Sequence, residues 1–274
     1  IVAGAPGADD AADGAGEIHI FVRSVVDGWQ WQQVYRPEGL QAGDRYGAAV
    51  AVDNTLLVAS ASRDDDQGNQ SGALYLSQII NNQISPLEKV YSPDPWPFQE
   101  YGTALDVRDG RIAAGAPFDS QFGLGRGMVG LHEQDDLGNW VATTIRPDTP
   151  QDYEYFGASV ALDGDLLVVG APGDAQNPDL NPPPGAIFVF ERIGLGDWVQ
   201  RRRISLPTYA SGELGLATSV DNGRVIAGAL YDDRYGADAG LARVFDILPT
   251  LDCDEDGLCD LSQIFLPEFD CNFN

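Results

Sequence analysis

A pair of short motifs recurs four times along the chain at a constant internal distance, and this recurrence restricts the possible folds more than any other feature. Each copy begins with an aromatic residue or leucine followed by a glycine, at Gly47, Gly102, Gly157 and Gly215, with separations of 55, 55 and 58 positions. A small-residue motif follows, and 13 positions separate those glycines from Ser60, Gly115, Gly170 and Gly228. A fixed offset repeated at this period indicates an array of similar structural units.

Each unit reads as four short strands. The first strand alternates polar and apolar residues and ends in a tight turn such as Asp163-Gly164, and the second is a short apolar run that leads into the small-residue motif. A third strand follows an acidic loop closed by glycine, and the fourth often begins at a tryptophan, as at Trp31, Trp140 and Trp198. No long segment has a helical period.

Four strands per unit predict an all-β fold, a β-propeller of four-stranded antiparallel blades. About five blades are visible in residues 1–247, and the opening and closing units each have only three strands. Small residues in the second strand have a packing reason, because inner strands of adjacent blades approach closely. We therefore assign no chemistry to the motif Ala114-Gly115-Ala116-Pro117 or to its copies.

Tyr101-Gly102 or Phe156-Gly157, followed at a fixed distance by Gly-Ala-Pro, resembles the FG-GAP repeat of integrin α heads and of secreted bacterial proteins. The resemblance covers nearly all of residues 1–247 and implies a propeller, usually of seven blades, used in cell adhesion and ligand binding. We expect this chain to be a fragment of such a larger propeller, arranged as an open arc or a strained five-bladed ring. In integrins some repeats hold calcium between the two motifs, but here that span is only a hairpin turn.

The residues after the propeller divide into a linker, 248–251, and an aspartate-rich tail, 252–274. Within the tail, carboxylates occupy loop positions 1, 3, 5 and 9, a glycine occupies position 6, and a backbone carbonyl is available at position 7. This spacing predicts a Ca²⁺ site, with the ligands Asp252, Asp254, Asp256, Leu258 and Asp260. The motif resembles thrombospondin type 3 and dockerin-like calcium repeats, and a second, truncated copy begins at Asp270.

The chain carries 42 acidic and 16 basic residues, a formal net charge of −26. This charge disfavours nucleic acid and anionic membranes and favours cations, and no apolar run reaches the ~20 residues of a membrane span. The loops after the second strands are acidic in every unit, and we interpret them as solvated loops, with weak calcium sites as the alternative. The acidic segments are Asp9-Asp10 with Asp13, Asp64-Asp65-Asp66, Asp119, Asp174 with Asp179, and Asp232-Asp233 with Asp238.

The three cysteines lie in the tail, where Cys253 pairs with Cys259 or either of them pairs with Cys271. Cysteines confined to such a tail are typical of an oxidising compartment. We therefore expect a secreted, extracellular or cell-surface protein.

The sequence contains none of the usual catalytic motifs. The two histidines, His19 and His132, occupy different places in their units, and we interpret the run Arg201-Arg202-Arg203 as a surface feature. We predict a non-enzymatic adhesion module that presents propeller loops to a carbohydrate or an extracellular protein. The alternatives are a polysaccharide lyase or hydrolase, and a purely structural spacer.

The tryptophans give the best indication of where a ligand binds. We expect Trp29, Trp31, Trp140 and Trp198 first to pack between blades, as large aromatic side chains commonly do. Trp96 breaks the pattern because it lies in a proline-rich connector, and it is our candidate for an exposed ligand contact.

Overall fold

The computed structural model describes residues 1–174, 183–205, 212–233, 236 and 239–247. Over these residues all the regular elements are β-strands, arranged in five antiparallel sheets. No helix in this part of the chain is long and apolar enough to cross a membrane. The fold class is therefore all-β, as the repeat pattern predicts.

The strands occur in sheets of three, four, four, four and three, and each strand pairs with its neighbours in sequence. Sheet 1 contains β1 (Val2–Ala5), β2 (Glu17–Ser24) and β3 (Gly28–Tyr35). Sheet 2 contains β4 (Tyr46–Asp53), β5 (Leu56–Ala61), β6 (Ala73–Ile80) and β7 (Gln83–Tyr91). Sheet 3 contains β8 (Ala104–Arg108), β9 (Arg111–Ala116), β10 (Met128–Gln134) and β11 (Trp140–Ile145). Sheet 4 contains β12 (Ser159–Asp163), β13 (Leu166–Ala171), β14 (Ala186–Gly194) and β15 (Asp197–Ser205), and sheet 5 contains β16 (Leu214–Asp221), β17 (Arg224–Ala229) and β18 (Leu241–Asp246).

The turns between the first and second strands take the conformation that their residues favour. Asn54, Asp109 and Asn222 have φ angles of 52°, 51° and 49°, in the left-handed region that Asn and Asp tolerate better than most residues. The predicted strand count and the predicted hairpins are therefore confirmed.

Consecutive sheets are joined by a backbone hydrogen bond from the residue before each motif glycine. The backbone N–H of Tyr46 donates to the carbonyl of Ala15 at 2.8 Å, and Tyr101, Phe156 and Leu214 repeat this bond to the preceding sheet. These four side chains are at most 1% exposed. The motif thus places one large apolar side chain, with its backbone already paired, at each junction.

The core is distributed over the interfaces between sheets. At the junction of sheets 3 and 4, Phe156 makes edge-on contacts with Phe188 and Phe190 at ring-centroid distances of 5.4 and 5.9 Å. Val129 and Leu131 of sheet 3 join the same buried cluster. Each sheet therefore depends on its neighbours for burial, as expected of repeat units.

The small-residue motif permits the close approach of neighbouring sheets. A Cβ added to Gly115 would lie 2.9 Å from the carbonyl carbon of Gly157 and closer still to its oxygen. Gly170 has the same relation to Gly215, with 2.7 Å to the carbonyl carbon. The packing interpretation of this motif is confirmed.

Sheet 5 leaves one face open. Ile226 and Val244 are 47% and 58% exposed, whereas Val168 and Val189, at the corresponding positions of sheet 4, are 0% and 1% exposed because sheet 5 covers them. The described residues add no fourth strand to sheet 5. Over the part of the chain that the structure describes, the five sheets thus form an open arc that does not close into a five-bladed ring.

Candidate functional site at the loop end of the sheets

One end of the arc carries the long loops, and we call it the loop end. Strands alternate in direction, so the loops after the second strands and the connectors between sheets meet there. Backbone hydrogen bonds close each loop at its base, from Gly72 to Asp64, from Gly127 to Asp119 and from Gly185 to Asp174. The short hairpins lie at the opposite end.

Each of these loops buries one aspartate, two positions after the last residue of the small-residue motif. Asp64, Asp119 and Asp174 are 2%, 1% and 0% exposed. A cation from the same sheet reaches each of them, with Lys89 Nζ 2.5 Å from Asp64 and Arg146 3.3 Å from Asp119. The solvated-loop interpretation is therefore wrong for these aspartates, because they are buried. Each needs its cation, since a buried charge without a partner would cost several kcal/mol.

The partner of Asp174 is Arg203, whose Nε donates at 2.9 Å and whose second nitrogen also contacts the carboxylate. The side chain of Arg203 is only 16% exposed. Our prediction that the 201–203 arginine run serves the surface is therefore wrong for this residue. Arg201 does lie at the surface, where it pairs with Glu191 at 2.8 Å.

Burial and pairing compete in setting the pKa values of these groups. Burial acts to lower the pKa of Lys89, but hydrogen bonds to Asp64, Asp66 and Tyr75 outweigh it and raise the pKa. Burial raises the pKa of Asp119, although the charge of Arg146 opposes this change. Lys89 is thus held charged as part of the framework.

A second buried polar position lies two residues before each junction aromatic. Asp44, Gln99 and Glu154 occupy it and are 2%, 0% and 0% exposed. Neither oxygen of Glu154 has a well-aligned hydrogen bond, and burial, with a smaller contribution from Asp174, raises its pKa to about 8. Burial likewise raises the pKa of Asp44 to about 6. Gln99 occupies the equivalent position and has the shape of a protonated glutamate without its charge. A neutral side chain suits this position, because burial there raises the pKa of Glu154.

Large apolar side chains remain exposed above this framework, on the loop after β9 and on the connectors before and after sheet 3. They are 39–61% exposed, and we call them the aromatic patch: Trp96, Phe98, Phe118, Phe122, Leu124 and Tyr153. Exposed apolar groups gathered on loops are a common mark of interaction surfaces. Trp96, the ligand contact expected from the sequence, belongs to this patch.

The backbone holds two patch residues in an unfavourable conformation. Phe98 and Tyr153 have φ angles of 62° and 63°, and Gly43, at the equivalent position of sheet 2, has 87°. Bulky residues rarely adopt a positive φ, and such strain tends to persist where function requires a particular side chain. The aromatic side chains replace the glycine that this conformation favours.

Arg146 supports the patch from below. Its guanidinium lies 4.8 Å from the centroid of the Phe122 ring and bonds to Asp94, Asp119 and Gln121. It therefore ties the connector before sheet 3 to the loop of sheet 3. Sequence reasoning missed this role, since the partners of Arg146 lie 25 to 52 residues away in the chain.

The other tryptophans divide into two groups. Trp29 and Trp31 are 53% and 58% exposed, so the predicted packing role is wrong for them in the described arc. Trp140 and Trp198 pack against buried clusters, and Trp198 also donates to Glu133 at 3.2 Å. The packing role is therefore confirmed for these two.

The predicted tail ligands, Asp252, Asp254, Asp256, Leu258 and Asp260, lie outside the described residues. Within the described part of the chain, no group of three or more His, Cys, Asp or Glu residues could hold a metal ion.

A shallow groove of about 480 Å³ lies beside His132, Trp140 and Glu88. His132 is 2% exposed and bonds to Tyr101 at 2.6 Å. Burial lowers its pKa to about 4, so it is neutral at pH 7. Its hydrogen bond to a buried core tyrosine is a structural role.

Two segments of the chain, residues 29–77 and 142–190, match the family model of the FG-GAP repeat. No curated protein matches the sequence significantly. Solved structures that resemble this one include the periplasmic gluconolactonase PpgL of Pseudomonas aeruginosa, with 12% identity, a TM-score of 0.35, and coverage of 83% of this chain and 77% of that one. A likeness at that TM-score supports no conclusion about fold or activity.

Proposed function

For this all-β chain of antiparallel propeller blades with FG-GAP repeats, we propose the function of an extracellular binding module that presents its loop end to a macromolecular ligand. The aromatic patch carries this proposal. Its side chains are exposed although they are apolar, two of them are held at a positive φ, and the loops beneath are braced by ion pairs. A preorganised surface loses less conformational entropy on binding than a flexible one.

The alternative of a polysaccharide lyase or hydrolase receives less support from the same end of the molecule. Such enzymes need unengaged basic or acidic groups that converge on a substrate. Here Lys89, Arg126, Arg146 and Arg203 are all engaged with carboxylates. Glu154 lacks an aligned hydrogen bond, but it is 0% exposed and does not reach a substrate at the surface. A purely structural spacer would have no use for an exposed, strained aromatic surface.

We also propose that the tail binds Ca²⁺ through Asp252, Asp254, Asp256, Asp260 and the carbonyl of Leu258. The support is the alternation of carboxylates around Gly257. Gln263 occupies the position where an EF-hand has a bidentate glutamate, so the affinity should be moderate. A rigid tail would fix the distance between the propeller and whatever follows it.

Binding of the whole chain to immobilised matrix proteins and polysaccharides, first with calcium and then with a chelator, tests the proposal. We expect saturable binding without product formation. A double variant, Phe122→Ser with Leu124→Ser, should abolish it. The control, Val25→Ser with Leu137→Ser, removes even more exposed apolar groups from hairpins at the opposite end and should bind normally. Depolymerised polysaccharide would refute the binding-module assignment, and silence across the whole panel would favour the spacer.

Calcium binding has its own readout, because titration calorimetry follows it without any ligand. Asp256→Asn should lower the measured Ca²⁺ affinity at least tenfold, since it removes one carboxylate of the predicted ligand set. An unchanged isotherm would contradict the assignment of the tail.

A further inference from the structure

We propose, building on the binding role above, that the aromatic patch recognises a cationic protein segment in which an apolar anchor is flanked by lysine or arginine. The inference deepens the proposed function by naming the partner class. It rests on three features of the loop end: its charge, the chemistry of the exposed groups, and the bracing of the loops.

Acidic residues outnumber basic ones, five to two, in the segments that carry the patch, residues 94–100, 118–126 and 146–153. The two arginines near the patch are paired with carboxylates, with Arg126 2.7 Å from Asp152 and Arg146 3.0 Å from Asp94. The carboxylates of Asp152 and Asp94 remain 47% and 31% exposed, and the whole chain carries a net charge of −26. A partner with positive charge is therefore attracted over a distance of about a Debye length, and an anionic glycan is repelled.

The exposed groups favour an apolar anchor over a sugar. Four of the six patch side chains have no hydrogen-bonding group, namely Phe98, Phe118, Phe122 and Leu124. Trp96 and Tyr153 each carry one such group at the tip of a largely apolar side chain. The nearby hydroxyl of Ser120 is engaged, since it donates to the carbonyl of Phe118 and accepts from the N–H of Gly125, both at 3.0 Å. Sugar recognition relies on polar groups that are placed to meet hydroxyls, whereas aromatic and aliphatic anchors suit protein interfaces.

The loops are held in position before any ligand arrives. The N–H of Tyr153 donates to the carbonyl of Leu124 at 2.6 Å, and that of Tyr155 donates to the carbonyl of Gly125 at 3.0 Å. The rings of Phe118 and Tyr155 meet edge-on at 5.9 Å. In the preceding sheet, Arg63 and Glu100 make the equivalent contact as an ion pair at 3.0 Å. The chain has thus replaced a polar brace by an aromatic one at the patch.

Selection from a random 12-residue peptide library on the immobilised whole chain tests the inference. Counter-selection uses the double variant Phe122→Ser with Leu124→Ser, which keeps every charge and so removes peptides that bind through charge alone. We expect the remaining peptides to combine lysine or arginine with leucine, phenylalanine or tryptophan. Their fluorescence anisotropy titrations should show at least tenfold weaker binding to the double variant and unchanged binding to the control, Val25→Ser with Leu137→Ser.

The salt dependence separates the two parts of the interaction. Raising NaCl from 50 to 300 mM should weaken binding severalfold without abolishing it, because the apolar anchor is insensitive to screening.

Two outcomes overturn the inference, and they differ in what they mean for the proposed function. Patch-dependent peptides without basic residues, or patch-dependent binding of a neutral or anionic polysaccharide, would overturn the partner class while leaving the binding module standing. If no peptide, matrix protein or polysaccharide binds in a patch-dependent way, both the partner class and the binding module fail.

Discussion

The close approach of the sheets makes Gly115→Ala the most direct test of how this arc is held together. The added Cβ would meet the carbonyl carbon of Gly157 at 2.9 Å and its Cα at 3.2 Å. Carbon atoms in good contact lie about 3.5–4.0 Å apart, so the two carbons alone require a separation of roughly half an ångström or more. The carbonyl oxygen of Gly157 lies closer still to the added Cβ and requires a larger shift. The atoms that clash all belong to the backbone, so no side-chain rotation relieves the strain.

The separation would also loosen the buried cluster at this junction. Phe156, Leu131 and Val129 lie in that cluster, and a gap of 0.5–1 Å forfeits a quarter to a half of the dispersion attraction across it. Overpacking of this kind costs about 1–3 kcal/mol, occasionally more. We expect Gly115→Ala to lower the free energy of unfolding by about 3 kcal/mol.

Urea denaturation followed by tryptophan fluorescence measures this loss. The control is Gly7→Ala, since Gly7 has neither a positive φ nor any atom within 4 Å of an added Cβ, and it should change stability by less than about 0.5 kcal/mol. A Gly115→Ala protein that unfolds within about 0.5 kcal/mol of the parent would refute the reasoning, because the junction would then have room to spare.

Three further substitutions test the buried polar groups. Glu154→Gln should stabilise the protein at pH 7 by up to about 3 kcal/mol, because the unfolded carboxyl loses its proton near pH 4.5 and the folded one only near 8. The parent protein therefore loses stability as the pH rises from about 4.5 to about 8, whereas the variant does not. Urea denaturation should show equal stability of parent and variant at pH 4 and a more stable variant at pH 7. Lys89→Met leaves Asp64 buried without its cation and should cost about 3 kcal/mol, whereas Arg201→Met, at an exposed pair, should cost under about 1 kcal/mol in the same urea assay. Tyr101→Phe removes the 2.6 Å bond to His132 and should lower the thermal midpoint by an amount that corresponds to about 1–2 kcal/mol; an unchanged midpoint would contradict the structural role of His132.

The sequence predicted the strands well because their signals are local. An apolar run, a hairpin turn or a motif glycine is determined by neighbouring residues, and a period of 55 repeated along the chain averages out accidents. The three-four-four-four-three arrangement of strands and the packing role of Gly115 follow from this local information. Trp96 was also found locally, because it interrupts a regular pattern.

The pairing of charges was decided only by the tertiary structure. Asp174 and Arg203 lie 29 residues apart, and in the sequence one looks like a loop acid and the other like part of a surface run. Their contact exists because β15, which carries Arg203, runs back to the end of the sheet where the loop after β13 places Asp174. The exposure of Trp31 and Ile226 likewise depends on which sheet faces are covered, and no local pattern reports that.

The aromatic patch joins both kinds of information. Phe98 and Tyr153 are visible in the sequence, but only the fold shows that they have the positive φ that Gly43 has at the equivalent position. By itself the sequence determined what the repeating unit is, because its turns, strands and small residues act over a few positions. The tertiary structure decided which groups are buried, paired or exposed, since those properties arise where segments about 25 to 60 residues apart meet.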